Sequence, residues 1–270
     1  MNIQLYTIKN LTNLHVGDSG GNFNIVDNQV QKDPKTNIPV IHSSSLKGAF
    51  REHFTQQGSG KNFIEYIFGP DNTDNNSHKT GAYSFFEASM LSMPVRSNKH
   101  LYYHATTKEI VQKFYEELKN FDISIETNFL DQISSIKPED NKPVVLDGET
   151  AIKIEDFQET KTANIKLDDT AKELFGERVV LFSENDFKSL DLPVFARNHL
   201  ENGVSKNLWY EEAVPKDSRF YFFIAKPSNI YKDDKKDLEN YEKRFEENIN
   251  TLQIGANKSI GYGFCQIKRI

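Results

Sequence analysis

One cysteine in 270 residues, Cys265, leaves no partner for an intramolecular disulfide and no thiolate set for zinc, which fits a reducing compartment. No apolar run approaches the roughly 18 residues of a membrane span, and the opening MNIQLYTIKNL has no charged segment leading into an apolar one. The expectation is a soluble, cytoplasmic protein with no membrane partner. Cations are not in excess either: 33 Lys and Arg stand against 39 Asp and Glu, a net charge of -6. A surface that coats nucleic acid everywhere is thereby excluded, because that affinity comes from many basic contacts. Any contact with RNA or DNA must be local. A phosphate-binding P-loop is also missing. Gly58-Ser59-Gly60-Lys61 has Thr55 where the first glycine belongs and Asn62 in place of Ser or Thr, and the Gly255–Ser259 stretch places Asn257 before Lys258.

What the chain does have is a pair of phosphate-friendly segments at its two ends. Near the start, IPVIHSSSLKGAFR sets Ser43, Ser44 and Ser45 ahead of an apolar helical repeat, Leu46, Ala49, Phe50 and Phe54, with Lys47 and Arg51 one and two turns on. Free N–H groups, hydroxyls and cations around one helix N-terminus suit a phosphate. A Ser-capped helix with exposed basic residues is the plainer alternative. Near the end, IGANKSIGYGF carries Gly255, Gly261 and Gly263, which permit positive φ or close backbone approach, with Asn257 and Lys258 at its tip. Its plainer alternative is a glycine-rich turn before a strand.

Periodicity orders the elements. A strand is expected over Ile3–Ile8, then the serine-capped helix, then a strand marked by Tyr83, Phe85 and Phe86. Thr106-x-x-Glu109 reads as a capping box for a helix over about 107–120. Phe220, Phe222 and Ile224 alternate as a strand, Leu238, Tyr241, Phe245, Ile249 and Leu252 form an apolar stripe inside a heavily charged segment whose run 232–247 reads as a solvated helix face, and Phe264–Ile270 closes as a strand holding Cys265 as a small hydrophobe. Taken from the two ends, this is the α+β, ferredoxin-like β-α-β-β-α-β order, shared with the RRM and split by a long insertion. The expected division is a palm from 1–95 and 219–270, and an inserted region over 96–218 that is rich in polar residues and punctuated by Pro138, Pro143, Pro193 and Pro215.

Other side chains that could carry chemistry are few. The loop after the first strand offers Asp18, Asp27, Asp33 and His15. Asp27 differs in following Ile25 and Val26, which anchor it, and one aspartate is enough for a divalent ion when RNA phosphate completes the site. His100 and His104 are four apart but lack the glutamate of a zinc motif, so solvent-facing histidines are expected. Trp209 and Tyr210 are suited either to stacking on bases or to the core.

The set formed by LHVG, the Val26-Asp27 loop, SSLKGAFR, LWYEEAVP and the terminal IGxNxSIGxGF, in this order over nearly the whole chain, resembles the RAMP superfamily and within it the repeated backbone subunit of type III-B CRISPR effector complexes. That resemblance implies a ferredoxin-like palm, a helical finger region and a β-hairpin thumb at about 195–210 with ENGVSKN as its turn. Copies of the chain would stack along one crRNA beside other type III effector subunits, and the paired target RNA would be cleaved at regular intervals as a metal-dependent endoribonuclease reaction, with Mg²⁺ or Mn²⁺ as cofactor. The family's catalytic aspartate falls on Asp27, which would also be the metal ligand, with His15 in support. The crRNA backbone contacts fall on Ser44, Ser45, Lys47 and Arg51, joined by Gly255, Asn257, Lys258, Gly261 and Gly263, with Tyr210 on the thumb. Two departures stand out: His42-Ser43 replaces a common Pro-Gly, and Ala256 replaces a common glycine. A catalytically silent crRNA-binding scaffold and a metal-independent processing endoribonuclease using His15 or His42 are the rival readings.

Overall fold

The computed structural model describes residues 2–18, 26–70, 80–157, 159–227 and 235–270. In chain order its elements are β1 (Asn2–Asn10), β2 (Val40–Ile41), α1 (Ser43–Gln56), α2 (Lys61–Phe68), β3 (Ser84–Phe85), β4 (Ala88–Arg96), β5 (Tyr102–Thr107), α3 (Lys108–Asn120), α4 (Phe129–Ile133), β6 (Val144–Val145) and β7 (Lys161–Thr162). There follow α5 (Asp169–Phe175), β8 (Val179–Phe182), α6 (Glu184–Lys188), β9 (Val194–Glu201), β10 (Val204–Glu212), β11 (Arg219–Lys226), α7 (Lys235–Glu247), β12 (Thr251–Gln253) and β13 (Phe264–Arg269). The fold mixes α and β around one large sheet, ordered β12-β13-β1-β11-β4-β5-β8-β6-β7, with β9 and β10 forming a separate hairpin.

At the centre, β13, β1, β11 and β4 run antiparallel to their neighbours. Side chains alternate across β1, so Tyr6 and Ile8 face one way and Leu5 the other. The first face packs with Phe222 and Ile224 against Leu46, Phe50 and Phe54 of α1 and Phe245 of α7. The second face, with Leu91, Tyr221 and Phe223, is covered by Val111, Phe114 and Leu118 of α3 and by Phe175 of α5. An RRM leaves such a face open for bases. Here both faces are closed, which leaves only edges, helix ends and loops for contact with any nucleic acid. Double coverage also explains β11, in which all eight residues are buried. Its alternation marks one face of a strand that is apolar on both.

Several expectations are corrected. The N-cap of α1 is His42, which makes no side-chain cap, so the three serines begin the helix instead of capping it. Thr107, one residue later than expected, caps α3 by accepting from Ile110 N, while Thr106 lies buried in β5 and donates to the Leu91 carbonyl. The aromatic mark at 83–86 is a two-residue strand, and the longer β4 that follows was hidden by its Ser, Met and Pro content. In the apolar stripe, Phe245 lies in α7, but Ile249 falls beyond its end and Leu252 in β12. His104, expected at the surface, is 3% exposed because β5 lies inside the sheet beside β8. Burial, reinforced by the positive charge of Arg219, holds its imidazole pKa down at about 4. Cys265 packs in β13 as a buried small hydrophobe, as expected.

Candidate nucleic-acid interface

Helix α1 is held by three buried residues, Leu46, Phe50 and Phe54, worth about 1.5–3 kcal/mol each on burial. Its polar stripe is thereby fixed in space. Ser44, Lys47 and Arg51, at i, i+3 and i+7, lie along one side of it. No acidic residue occupies the first turn, so the helix's own side chains do not offset the positive end of its dipole. Ser45 is turned inward, where its hydroxyl accepts from Gln31 Nε2 at 3.0 Å. Gln31 also accepts the His42 N–H at 2.8 Å, so this buried glutamine pins the start of α1.

The terminal glycine loop runs beside the same helix. Lys258 Nζ donates to Gln56 Oε1 at 2.8 Å, at the opposite end of α1 from the serines. Lys258 thus ties the glycine loop to the far end of a 14-residue helix about 20 Å long, whose polar and cationic track of Ser44, Lys47 and Arg51 starts at the other end. Its three glycines differ in what they do. A Cβ on Gly255 would overlap the His15 carbonyl oxygen, and one on Gly263 would overlap that of Ile254, so both are demanded by packing within the chain. Gly261, with φ +83°, has open space around it and is the glycine that leaves its backbone accessible.

Asp27 lies at the foot of the β9–β10 hairpin. Its Oδ2 accepts from the Tyr210 N–H at 2.8 Å, and the flanking backbone continues the contact through Asn28 N to Tyr210 O and Glu212 N to Asn28 O. The carboxylate is exposed yet fixed by main chain. Oδ1 accepts no hydrogen bond among the described residues. Of the anchoring pair Ile25 and Val26, Ile25 lies outside the described residues.

His15 is 5% exposed and joins the two halves of the site. Its Nδ1 lies 2.6 Å from the Glu212 carbonyl, which can only accept, so Nδ1 carries the proton and Nε2 is the basic nitrogen. The His15 carbonyl in turn accepts from Ala256 N in the glycine loop at 2.9 Å. The hairpin residues Glu211 and Glu212 are buried as well. Glu211 accepts from Asn257 Nδ2 at 2.7 Å and from Arg197 Nη2 at 3.1 Å, while Glu212 binds Lys32 Nζ at 2.8 Å and Val30 N at 3.1 Å. Gln31, Arg197 and the two glutamates escape a sequence reading because their partners are remote in the chain. The Glu-Glu pair before an apolar Ala-Val was the available signal.

The hairpin itself turns at Asn202-Gly203, both with positive φ, the chemistry of a two-residue turn. Tyr210 is 41% exposed and Trp209 half-buried, so neither belongs to the core.

For a divalent ion we find one candidate ligand at this place, Asp27, among the described residues. Among the described residues, the three-residue group of His and carboxylates close enough to hold an ion is His100, Asp147 and Glu149, away from Asp27. Oδ1 of Asp27 fits an ion only if nucleic acid supplies most of the ion's oxygens.

A family model described as the RAMP superfamily matches residues 7–266. A CRISPR system Cmr endoribonuclease, Cmr4 of Pyrococcus furiosus, is 28% identical over 98% of this chain and 94% of its own length. A chain of a type III-B Cmr-beta complex solved bound to cognate target RNA superposes with a TM-score of 0.80 at 19% identity, covering 100% of this chain and 97% of that one. Oligomeric Cmr4 from Pyrococcus furiosus superposes with a TM-score of 0.68 at 22% identity, covering 100% and 99%. At these identities the two superpositions establish a shared fold.

Proposed function

The chain belongs to the RAMP superfamily, and from that membership we propose that it is the backbone subunit of a type III-B CRISPR effector complex, an endoribonuclease that cleaves RNA paired to its guide. The observation that carries the reading is the joining of a polar and cationic track along α1 to a backbone-fixed carboxylate at the foot of a projecting hairpin, in a chain that matches a Cmr endoribonuclease along nearly its full length. The partners are crRNA, target RNA, further copies of the chain and the other subunits of the complex.

In this reading the β13-β1-β11-β4 sheet with α1 and α7 is the ferredoxin-like palm, 1–95 with 219–270. Residues 96–218 are the insertion, and the hairpin is the thumb. Ser44, Lys47, Arg51, Asn257, Lys258 and the open backbone at Gly261 hold crRNA phosphates. Ser45, Gly255 and Gly263 shape that surface from inside. Tyr210 offers a ring at the duplex.

The chemistry follows from the placing of Asp27. A nucleotide splayed from the duplex can align its 2′-oxygen with the adjacent phosphorus and the leaving 5′-oxygen, a geometry that a regular duplex forbids. Attack then forms the 2′-O–P bond and breaks the P–O5′ bond, leaving a cyclic phosphate and a 5′-hydroxyl. Asp27, fixed by Tyr210 N–H, orients the removal of the 2′-hydroxyl proton while the departing 5′-oxygen takes a proton from solvent, and His15, buried and locked through Nδ1 to the Glu212 carbonyl, supports the site from inside. A Mg²⁺ or Mn²⁺ ion held by Asp27 Oδ1 and RNA phosphate would supply charge stabilisation when bound.

The test is cleavage by the reconstituted complex. Complementary RNA should be cut at regular spacing, and an RNA unrelated to the guide should remain intact. Cutting that ignores the guide would overturn the assignment.

A further inference from the structure

The hairpin presents two unlike faces. Register pairs Arg197 with Trp209 and Phe195 with Glu211, so between the foot and the irregularity at Ser205–Asn207 these odd-numbered positions share one side. That side is turned to the terminal glycine loop, where the Arg197 guanidinium lies 4.7 Å from the centre of the Tyr262 ring and Phe195 meets the same ring at 6.3 Å. The opposite side carries exposed Val194, Leu200, Leu208 and Tyr210. A two-stranded hairpin standing off the main sheet has no neighbouring strand to fix its tilt. Its tilt must be set at its foot.

Two cations sit at that foot, Lys32 on Glu212 and Arg197 on Glu211, and Arg197 is the one that also meets the glycine loop. Glu211 is 4% exposed, and its Oε1 accepts both Arg197 Nη2 and the glycine-loop residue Asn257. Without the guanidinium the carboxylate is buried with one neutral donor. The residue before it, Tyr210, gives its N–H to Asp27, and Glu211 itself bridges to Asn28. Any rotation of β10 about Glu211 is therefore delivered to the Asp27 carboxylate within one residue. We propose that Arg197 is a positioning residue for RNA cleavage: stacked on Tyr262 and paired with Glu211, it fixes the hairpin on the glycine loop and so sets where Asp27 stands. A planar guanidinium does both at once, whereas a lysine ammonium can pair with Glu211 but does not lie flat on a ring.

The inference rests on the reading of the chain as the target-cleaving subunit, and the experiment separates the two. Complexes reconstituted with wild type, Asp27→Ala, Arg197→Gln, Arg197→Lys and Tyr262→Leu are compared for target RNA affinity and single-turnover cleavage. Arg197→Gln should bind target within about twofold of wild type yet cut about tenfold to a hundredfold more slowly, as expected for a misplaced reacting group. Arg197→Lys should fall between the two, and Tyr262→Leu should also slow cutting with binding intact. Wild-type cutting by Arg197→Gln, or equal losses of affinity and rate, overturns the proposal. If Arg197→Gln fails to assemble, Tyr262→Leu decides, and a wild-type rate from it overturns the proposal. A wild-type complex that cuts nothing removes the functional reading instead.

Discussion

Gly255→Ala isolates the packing of the glycine loop on the segment that carries His15. Gly255 has φ +79°, where an L side chain costs about 1–2 kcal/mol. A Cβ there would overlap the carbonyl oxygen of His15 and come within 3.0 Å of Val16 Cγ2. The carbonyl cannot turn away without losing its bond from Ala256 N, worth about 1 kcal/mol. Together these give a destabilisation of about 3 kcal/mol. Gly261→Ala is the internal control. Its φ of +83° carries the same conformational cost, but nothing lies within 4 Å of the added carbon, so about 1–2 kcal/mol is expected. Urea unfolding of the purified chain, followed by far-UV circular dichroism, should show a lower midpoint for Gly255→Ala with an unchanged slope, and a smaller shift for Gly261→Ala. Equal shifts for the two variants would refute the claim that Gly255 is demanded by contact and not by its backbone angle alone.

Three further outcomes are expected. The folded pKa of His104, held at about 4 by burial and then by the charge of Arg219, lies below the ordinary 6.5, so the unfolded chain takes up the proton first. The His104 contribution to stability should therefore fall by about 3 kcal/mol as pH drops from about 6.5 to 4 and change no further below, and His104→Gln should flatten that window in urea midpoints measured across it. Lys226, 2% exposed, pairs with Glu242 at 3.1 Å and Glu246 at 2.7 Å. Lys226→Ala should destabilise by about 2–3 kcal/mol, less than a fully buried pair because both glutamates can rehydrate, and a loss under 1 kcal/mol in thermal unfolding would contradict the pairing. Lys47→Ala with Arg51→Ala should weaken crRNA loading and lower the slope of log affinity against log salt by about 2. An unchanged slope in a filter-binding titration would make the α1 track an ordinary polar helix face.

The parts of the fold legible in the sequence are those fixed by local pattern. The stripe Leu46, Phe50 and Phe54 marks α1 because a helix must bury that face, and Asn202-Gly203 marks the hairpin because both residues tolerate positive φ. What escaped is set by remote partners. Thr106 and Thr107 are equivalent as caps until the buried bond from Thr106 to Leu91 removes one of them from the choice. His104 reads as a surface histidine until β8 pairs alongside it, and Gly176, whose Cβ would overlap the imidazole, shows how closely it is enclosed. The same holds at the candidate site. Asp27, Lys47 and Gly261 were visible as residue types in loops and at a helix start. Gln31, Arg197, Glu211 and Glu212 became visible only when strands far apart in the chain met at one place.

The most direct test compares target cleavage by reconstituted complexes carrying wild-type chain or Asp27→Ala, each with Mg²⁺ or with EDTA. Regularly spaced products from wild type with Mg²⁺, absent in EDTA and absent in Asp27→Ala while target binding persists, are the predicted result. Products of normal spacing and rate from Asp27→Ala would contradict the account, because the carboxylate fixed by Tyr210 would then have no part in the reaction.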